Sequence, residues 1–457
     1  MAKVDVLIAG GGISGLATLH LLRRNKPQLT VRLLEADIRL GGTIGTDQID
    51  GYSFDWGPNG FLDREPLTLQ LCDELGLKER LERANESVNA RFILRGGRLR
   101  PVPMSPPKFL MSSILSWRGK FRLALEPWAK PRPDGVDESV YDFVARRIGQ
   151  EAADYLVQPM VSGVYGGVAK RLSLQSCFPI MREMEDQYGS LIKALFAKAR
   201  AARASGKKAG GPGGPGGWLT SFFGGLYPVI ERFAELYSDQ ITCGVGVKSV
   251  RRDNGELRVE LSDGAVETCR HLVLATPSYA AAQIVGELSQ PLAEALGKIP
   301  YAPIAVVCLG YDAAQVRNSV DGFGFLVPQK EQRRILGAIW TSSIFAKRAP
   351  AGKIQFRTMV GGDGDHESIK LTDDELLNVT SSDLGEIMRI TGAPETIKIY
   401  RWQYGIPQYR VGHRAIMDVV ERELAALPQL HLASNAYYGI GLNDCVKQAH
   451  RVVEKIS

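Results

Sequence analysis

The sequence predicts an α/β fold: a Rossmann-type nucleotide domain assembled from the beginning, middle and end of the chain, with a second sheet inserted between the pieces. Three observations predict it. Residues 4–15 read VDVLIAGGGISG, an apolar strand, a glycine turn and a helix start, and Glu35 follows twenty residues after Gly15. Strands at 245–250, 257–261 and 271–275, the last ending in Ala275-Thr276-Pro277, and a strand–glycine turn–helix at 431–456 return to the same unit. Apolar or alternating strands at 304–311, 322–327, 335–342 and 354–360, with a helix at 373–390 and a strand at 396–403, form a sheet of their own.

Each glycine of the first turn has a physical task. Gly10 permits the tight turn after strand Val4–Ala9. Gly12, lacking Cβ, lets a pyrophosphate approach the backbone, and Gly15 lets the following helix pack on the strand. The helix N-terminus then presents N–H groups to phosphate. Glu35, closing strand Thr30–Leu34, accepts from ribose hydroxyls. Four residues on, Arg39-Leu40-Gly41-Gly42 suits a large flavin nucleotide, with Arg39 near phosphate and the glycines clearing space; the alternative is a plain turn between two strands.

Next come a strand and Gly-Pro turn at Gly51–Phe61, a helix at 65–82, and a hairpin of Arg91–Leu94 and Arg98–Val102 around Gly96-Gly97. Residues 105–200 read as mostly helical. At 108–130, Phe109, Leu110, Met111, Ile114, Leu115, Trp117, Phe121, Leu123, Leu125 and Trp128 interleave with Lys108, Arg118, Lys120, Arg122 and Lys130. Such mixing fits a membrane-surface element, or ordinary helix packing with a solvated basic face. Residues 198–217, KARAARASGKKAGGPGGPGG, read as a flexible basic loop. A helix at 228–237 follows FFGGL at 222–226.

Composition excludes several classes. The chain has 457 residues, enough for about three domains, with 44% hydrophobic and 23% charged residues. Its net charge of +6 comes mostly from Lys198, Arg200, Arg203, Lys207 and Lys208, so no broad basic surface calls for nucleic acid. Six cysteines without a C-x-x-C pair and six histidines without an H-x-x-x-H pair point to no disulfide framework and no metal site. The apolar stretch at 7–22 is broken by the phosphate glycines and ends in Arg23-Arg24, unlike a signal peptide.

The motif set GGGISG (10–15), Glu35, RLGG (39–42), GPNGFLDRE (57–65), FFGGL (222–226), ATP (275–277), YAPIAVV (301–307), GFGFLVP (322–328), TMVGG (358–362), YGIPQY (404–409) and GIGLNDC (439–445) resembles the protoporphyrinogen oxidase family, in particular its oxygen-dependent bacterial form, nearly end to end. The resemblance implies non-covalent FAD in a p-hydroxybenzoate hydroxylase-like domain (1–85, 218–290, 404–457), a mixed-sheet substrate domain (86–104, 291–403) and a helical membrane-binding domain (105–197). It implies oxidation of a porphyrinogen to a porphyrin in haem synthesis, six electrons leaving in three flavin turnovers with dioxygen as acceptor. It also implies a cytoplasmic protein in peripheral contact with the membrane, and leaves a homodimer open.

Carried onto this chain, Gly10, Gly11, Gly12, Ile13, Ser14, Gly15, Glu35, Ala36, Arg39, Gly41, Gly42, Gly57, Pro58 and Asn59 would hold the cofactor. Val247 would offer backbone atoms to the adenine, Trp402 and Ile440, Gly441 and Leu442 would lie near the isoalloxazine, and Asn435 near flavin phosphate. Arg91 would pair with a substrate propionate, Leu326, Ile339 and Met359 would sandwich the macrocycle, and Gly163 would face it. From the residues alone, Arg91 reads as a surface arginine and the three apolar residues as core. Two departures stand out: methionine at 359, where an aromatic is frequent, and Ser434 where a glycine usually precedes the Asn. No acid–base dyad is required, because an electron-rich methylene bridge is itself a hydride donor and the flavin carries the hard step. The competing readings are another flavin oxidase, acting on amines or carotenoids, a coproporphyrinogen oxidase, and a non-catalytic lipid-carrier binding protein.

Overall fold

The computed structural model describes residues 2–88, 90–103, 106–132, 135–204 and 217–456. Its first sheet runs in the order Ile241–Cys243, Val31–Glu35, Ala2–Ala9, Val266–Leu274, Glu256–Leu261, Val247–Asp253, with Leu430–Leu432 added beside the C-terminal half of Val266–Leu274. The strands meeting at Ala2–Ala9 are parallel, and the 247–274 meander is antiparallel. Helices Ile13–Asn25 and Leu442–Lys455 cover one face side by side, burying Leu16, Leu19, Leu22, Val446 and Val453.

The second sheet runs Thr396–Pro407, Tyr301–Asp312, Lys353–Gly361, Ile335–Trp340, Gly324–Leu326, Arg91–Arg95, Arg98–Pro101. All its pairings are antiparallel except Gly324–Leu326 with Arg91–Arg95, so the sheet is mixed. One face packs on helix Asp373–Met388 through Val307, Phe325, Trp340 and Phe356. The other packs on Tyr52 and Phe54 through Ile304, Val306, Cys308 and Tyr400. Its strands lie in sequence between pieces of the first, and its last strand continues to Pro407, four residues beyond the expected boundary.

Helices between 106 and 204 form a third unit around Ile114, Leu115, Phe143 and Leu174. A buried ion pair, Arg147 with Glu126, ties it together, and Glu126 also accepts from the N–H groups of Leu191 and Ile192.

Several sequence expectations need correction. The helix expected over 65–82 covers only Pro66–Glu74: Gly76, at φ +70°, ends it, and Leu81–Arg83 joins a small sheet instead. The first part of the supposed basic loop is helical, since Leu191–Ala204 is one helix and its alanine-rich run supports it; 205–216 lie outside the described residues. The helices Ser278–Ile284, Gln290–Gly297 and His413–Ala425 were not anticipated. They cover the far face of the first sheet, through Ala281, Leu292, Leu296 and Val420.

Candidate active site

The nucleotide cleft is built from glycines whose absent side chains can be measured. A Cβ at Gly15 would stand 2.0 Å from the Gly10 carbonyl oxygen, whereas a Cβ at Gly12 would meet nothing within 4 Å. Gly15 therefore holds helix to strand, and Gly12 keeps the space before the helix N-terminus open. Gly12 caps that helix without a side chain, so no residue competes for its first N–H groups. Glu35 accepts from the Gly11 N–H at 2.6 Å and, through its other oxygen, from the Asp37 N–H at 2.9 Å. Its remaining lone pairs are free for hydroxyl donors. Val245 donates to the Glu35 carbonyl, which brings the start of strand Val247–Asp253 beside Glu35 and Ala36.

The second glycine pair closes over the first. Gly41 donates to the Gly11 carbonyl at 2.8 Å, and Gly41 and Gly42 take φ of +107° and +58°. Arg39 is engaged within its own loop. Its guanidinium donates to the carbonyls of Leu40, Gly42 and Ile44 and lies over the Trp56 ring at 4.3 Å. It shapes the loop, because three inward-turned carbonyls need a donor and an arginine fork supplies several.

The helix Leu442–Lys455 brings a second N-terminus to the same place. Gly441 caps it, donating to Asp444 at 3.1 Å, while the buried thiol of Cys445 meets Ser14 in the first turn of the opposite helix. The preceding loop is held by Tyr409, whose hydroxyl donates to the Asn435 carbonyl at 2.6 Å and accepts from Gly439 at 2.9 Å. Ser434, the residue in place of a glycine, turns its hydroxyl to accept from the Ala436 N–H at 3.1 Å.

Opposite this cleft, the free face of the second sheet forms a slot. Leu326, Ile339 and Met359 are each partly exposed on adjacent strands, and Met359 interrupts an otherwise buried run. Gly163, on helix Gln158–Tyr165, faces them: a Cβ there would lie 2.6 Å from Leu326 Cδ2. Ile440 packs on the same helix unit as Val161 and Tyr165. Trp402 donates to the Trp56 carbonyl at 3.1 Å, and Arg357 donates to the next carbonyl, Gly57. Cleft and second sheet thus meet at Trp56 and Gly57. Arg91 begins its strand on the slot face but is exposed, over the Phe323 ring at 5.4 Å.

Comparison with known proteins decides the chemistry. A model of flavin-containing amine oxidoreductases matches residues 13–457. The chain belongs to the flavin-containing amine oxidoreductase family. It is 30% identical to the coproporphyrinogen III oxidase of Bacillus subtilis, over 99% of this chain and 97% of that one. It is 32% identical to the chloroplastic protoporphyrinogen oxidase of Nicotiana tabacum, over 100% and 86%. A crystal structure from Exiguobacterium sp. 255-15, assigned as a protoporphyrinogen oxidase, superposes with a TM-score of 0.84 at 27% identity, covering 100% of this chain and 98% of that one.

As a member of this family the protein is an oxidoreductase, and its cofactor is FAD. The cleft fits that cofactor on its own terms. Two helix N-termini meet there, the first with no side-chain cap on its N–H groups, and the polar atoms Asn59 Nδ2, Thr276 Oγ1 and Asn443 Oδ1 are buried with no partner. All six cysteines are unpaired, and the described residues hold no metal-binding cluster.

Sequence reading missed two buried arginines near this flavin cleft. Arg348 pairs with Asp55 at 2.8 Å and with Ser221 at 2.7 Å, joining the cleft to the second sheet. Arg357 reaches Gly57 from the slot face. The available signal was a lone charge inside the apolar strand IQFRTMV, which a solvated strand would not need.

Proposed function

We propose that the protein oxidises protoporphyrinogen IX to protoporphyrin IX in haem synthesis, or coproporphyrinogen III to coproporphyrin III. The observation that carries this reading is the slot: partly exposed Leu326, Ile339 and Met359 on one side, and a glycine on the other where any side chain would narrow it. Full-length similarity to enzymes named for both reactions supports it.

Bound FAD supplies the hydride acceptor, with dioxygen as terminal oxidant. The chain's own residues do the rest. Gly10–Gly15, Gly41, Gly42, Gly57–Asn59 and the Gly441 turn bind the cofactor, and Glu35 orients its ribose. Leu326, Ile339 and Met359 hold a flat apolar ring and exclude water. Correct placement of two reactants contributes up to about 7–11 kcal/mol toward a barrier, so no proton-transfer group is needed at the slot. Non-covalent attachment is favoured by Cys445, whose thiol burial pushes up to about 11 and leaves un-ionised.

The reading extends to peripheral contact with an anionic bilayer. Trp117 and Trp128 are more than three-quarters exposed, Met111 and Phe121 are exposed too, and so are Arg118, Lys130, Lys198 and Arg200 of the same helical unit. No helix among the described residues is long and apolar enough to cross a membrane.

The FAD-loaded protein should generate porphyrin fluorescence from at least one porphyrinogen in air, and no hydrogen peroxide from simple amines. Fluorescence no faster than spontaneous oxidation with both porphyrinogens would reject the proposal.

A further inference from the structure

We propose that Arg357 is a carboxylate anchor at the buried end of the slot, and that Arg357 and Arg91 together select a tetrapyrrole with carboxylates on opposite edges. This rests on the porphyrinogen reading above and assigns its preferred member as the four-propionate substrate, coproporphyrinogen III.

Arg357 is a buried cation without an acid. Its Nη2 donates to the Gly57 carbonyl, its Nε has no partner, and none of the ion pairs among the described residues includes it. The carboxylate that acts on it from a distance, Asp55, is committed to Arg348 at 2.8 Å. Burial accordingly pulls the Arg357 pKa below its usual value. Arg348, also buried and also with its Nε unpartnered, differs in its counter-charge: it holds a carboxylate on one nitrogen and a hydroxyl on another. A guanidinium with an unused N–H and no counter-charge is costly until an anion arrives, and its planar fork suits a carboxylate.

The register places the second cation. Arg91 pairs with Gly324, Gly324 with Ile339, and Ile339 with Arg357. Residues along such a row share a sheet face, and the neighbouring row is Ile93, Leu326, Gly337, Met359. Arg91 and Arg357 therefore bracket the slot on one face, with Gly324 leaving the row low between them. Three strand spacings set their Cα atoms roughly 14 Å apart. That is the scale of a tetrapyrrole with its propionates extended. Protoporphyrinogen IX carries its two propionates on neighbouring pyrroles, so both lie along one edge. Coproporphyrinogen III carries one on every pyrrole and brings a carboxylate to both ends.

Steady-state kinetics of the FAD-loaded enzyme with each porphyrinogen tests this. The parent should have the higher kcat/KM with coproporphyrinogen III. Arg357→Met should raise KM for coproporphyrinogen III by about ten-fold or more, as expected for a lost charge-assisted pair, and change KM for protoporphyrinogen IX by less than about three-fold. Arg357→Lys should restore part of the loss. An equal rise for both substrates, or none, would show that Arg357 only braces Gly57 and would overturn the proposal. Should Arg357→Met fail to fold, product binding to the parent decides. Coproporphyrin III should bind at least about ten-fold tighter than its tetramethyl ester in the same detergent, and equal affinities overturn the proposal. A parent that oxidises neither porphyrinogen sinks the proposed function itself, which is a separate outcome.

Discussion

In the nucleotide cleft, Gly10, Gly15 and Gly41 let backbone pack where no side chain would fit, and Gly12 and Gly42 leave open space; across the slot, Leu326, Ile339 and Met359 cover a sheet face with partly exposed apolar atoms. On the proposed reading, the cleft binds through N–H groups whose positions the fold dictates, so its chemistry is local in sequence. The proposed slot binds through side chains on three strands, a helix and a hairpin, so its chemistry exists only after the chain has folded. The two should respond to substitution in different ways.

The largest difference is expected between two glycines of the same turn. Gly15→Val places a Cβ against a backbone oxygen that cannot move, and should yield no folded, flavin-containing protein. Gly12→Val puts its side chain into open space, and should leave a folded protein that binds no FAD. Circular dichroism and the flavin absorbance of purified protein read both. A Gly12→Val protein with full flavin content would show that the pyrophosphate lies elsewhere.

The buried arginines sharpen the comparison next. Arg348→Met strands the Asp55 carboxylate in the interior and should cost about 3–5 kcal/mol in urea unfolding of the holoprotein. Arg357→Met strands no acid and should cost about 1 kcal/mol or less, the worth of one hydrogen bond. Equal losses would mean that Arg357 is structural.

Within the slot, Gly163→Leu should raise KM for the porphyrinogen by about ten-fold through overpacking against Leu326, with flavin content unchanged. A matching loss of flavin would mean that the two regions are not separable.

This division explains what could be read from the chain. The glycine turn, Glu35, RLGG and the final glycine–helix motif are contiguous, and each residue's task follows from its neighbours. Leu326, Ile339 and Met359 are indistinguishable by residue type from Phe325, Ala338 and Phe356, which face the opposite way into the core; only strand pairing tells which face is open. Arg39 reads from the sequence as a phosphate contact, and its bonds to three carbonyls of its own loop appear only in the fold. The helix His413–Ala425 starts without a side-chain cap, from Gly412 in the left-handed region, so the usual start signal was absent.

Arg91→Ala should have a smaller effect than the slot and buried-arginine substitutions, because its guanidinium is exposed and water competes for any carboxylate it holds. A three- to ten-fold rise in KM, shrinking as salt is added, is about what an exposed pair supports. A salt-independent rise would place Arg91 in a drier site than its exposure indicates.

The smallest effect on turnover should come from the helical surface, which touches neither cleft nor slot. Trp117 and Phe121 share helix Trp117–Ala124, and Trp128 lies in the turn that Glu126 fastens to helix Leu191–Ala204, which carries exposed Phe196, Lys198 and Arg200. Lys120 is different: it is buried, with its ammonium 4.4 Å from the Trp117 ring centre, so it stiffens the tryptophan more than it offers charge. Each exposed base near an anionic surface contributes about 1 kcal/mol, and the aromatics add interfacial burial that salt does not screen. Replacing Trp117, Phe121 and Trp128 together by alanine should therefore reduce recovery with anionic vesicles at both low and high salt, while kcat with detergent-dispersed porphyrinogen stays within about two-fold of the parent, as for surface changes away from a site. Equal recovery of parent and variant with neutral and anionic vesicles would leave this surface without a role at the bilayer.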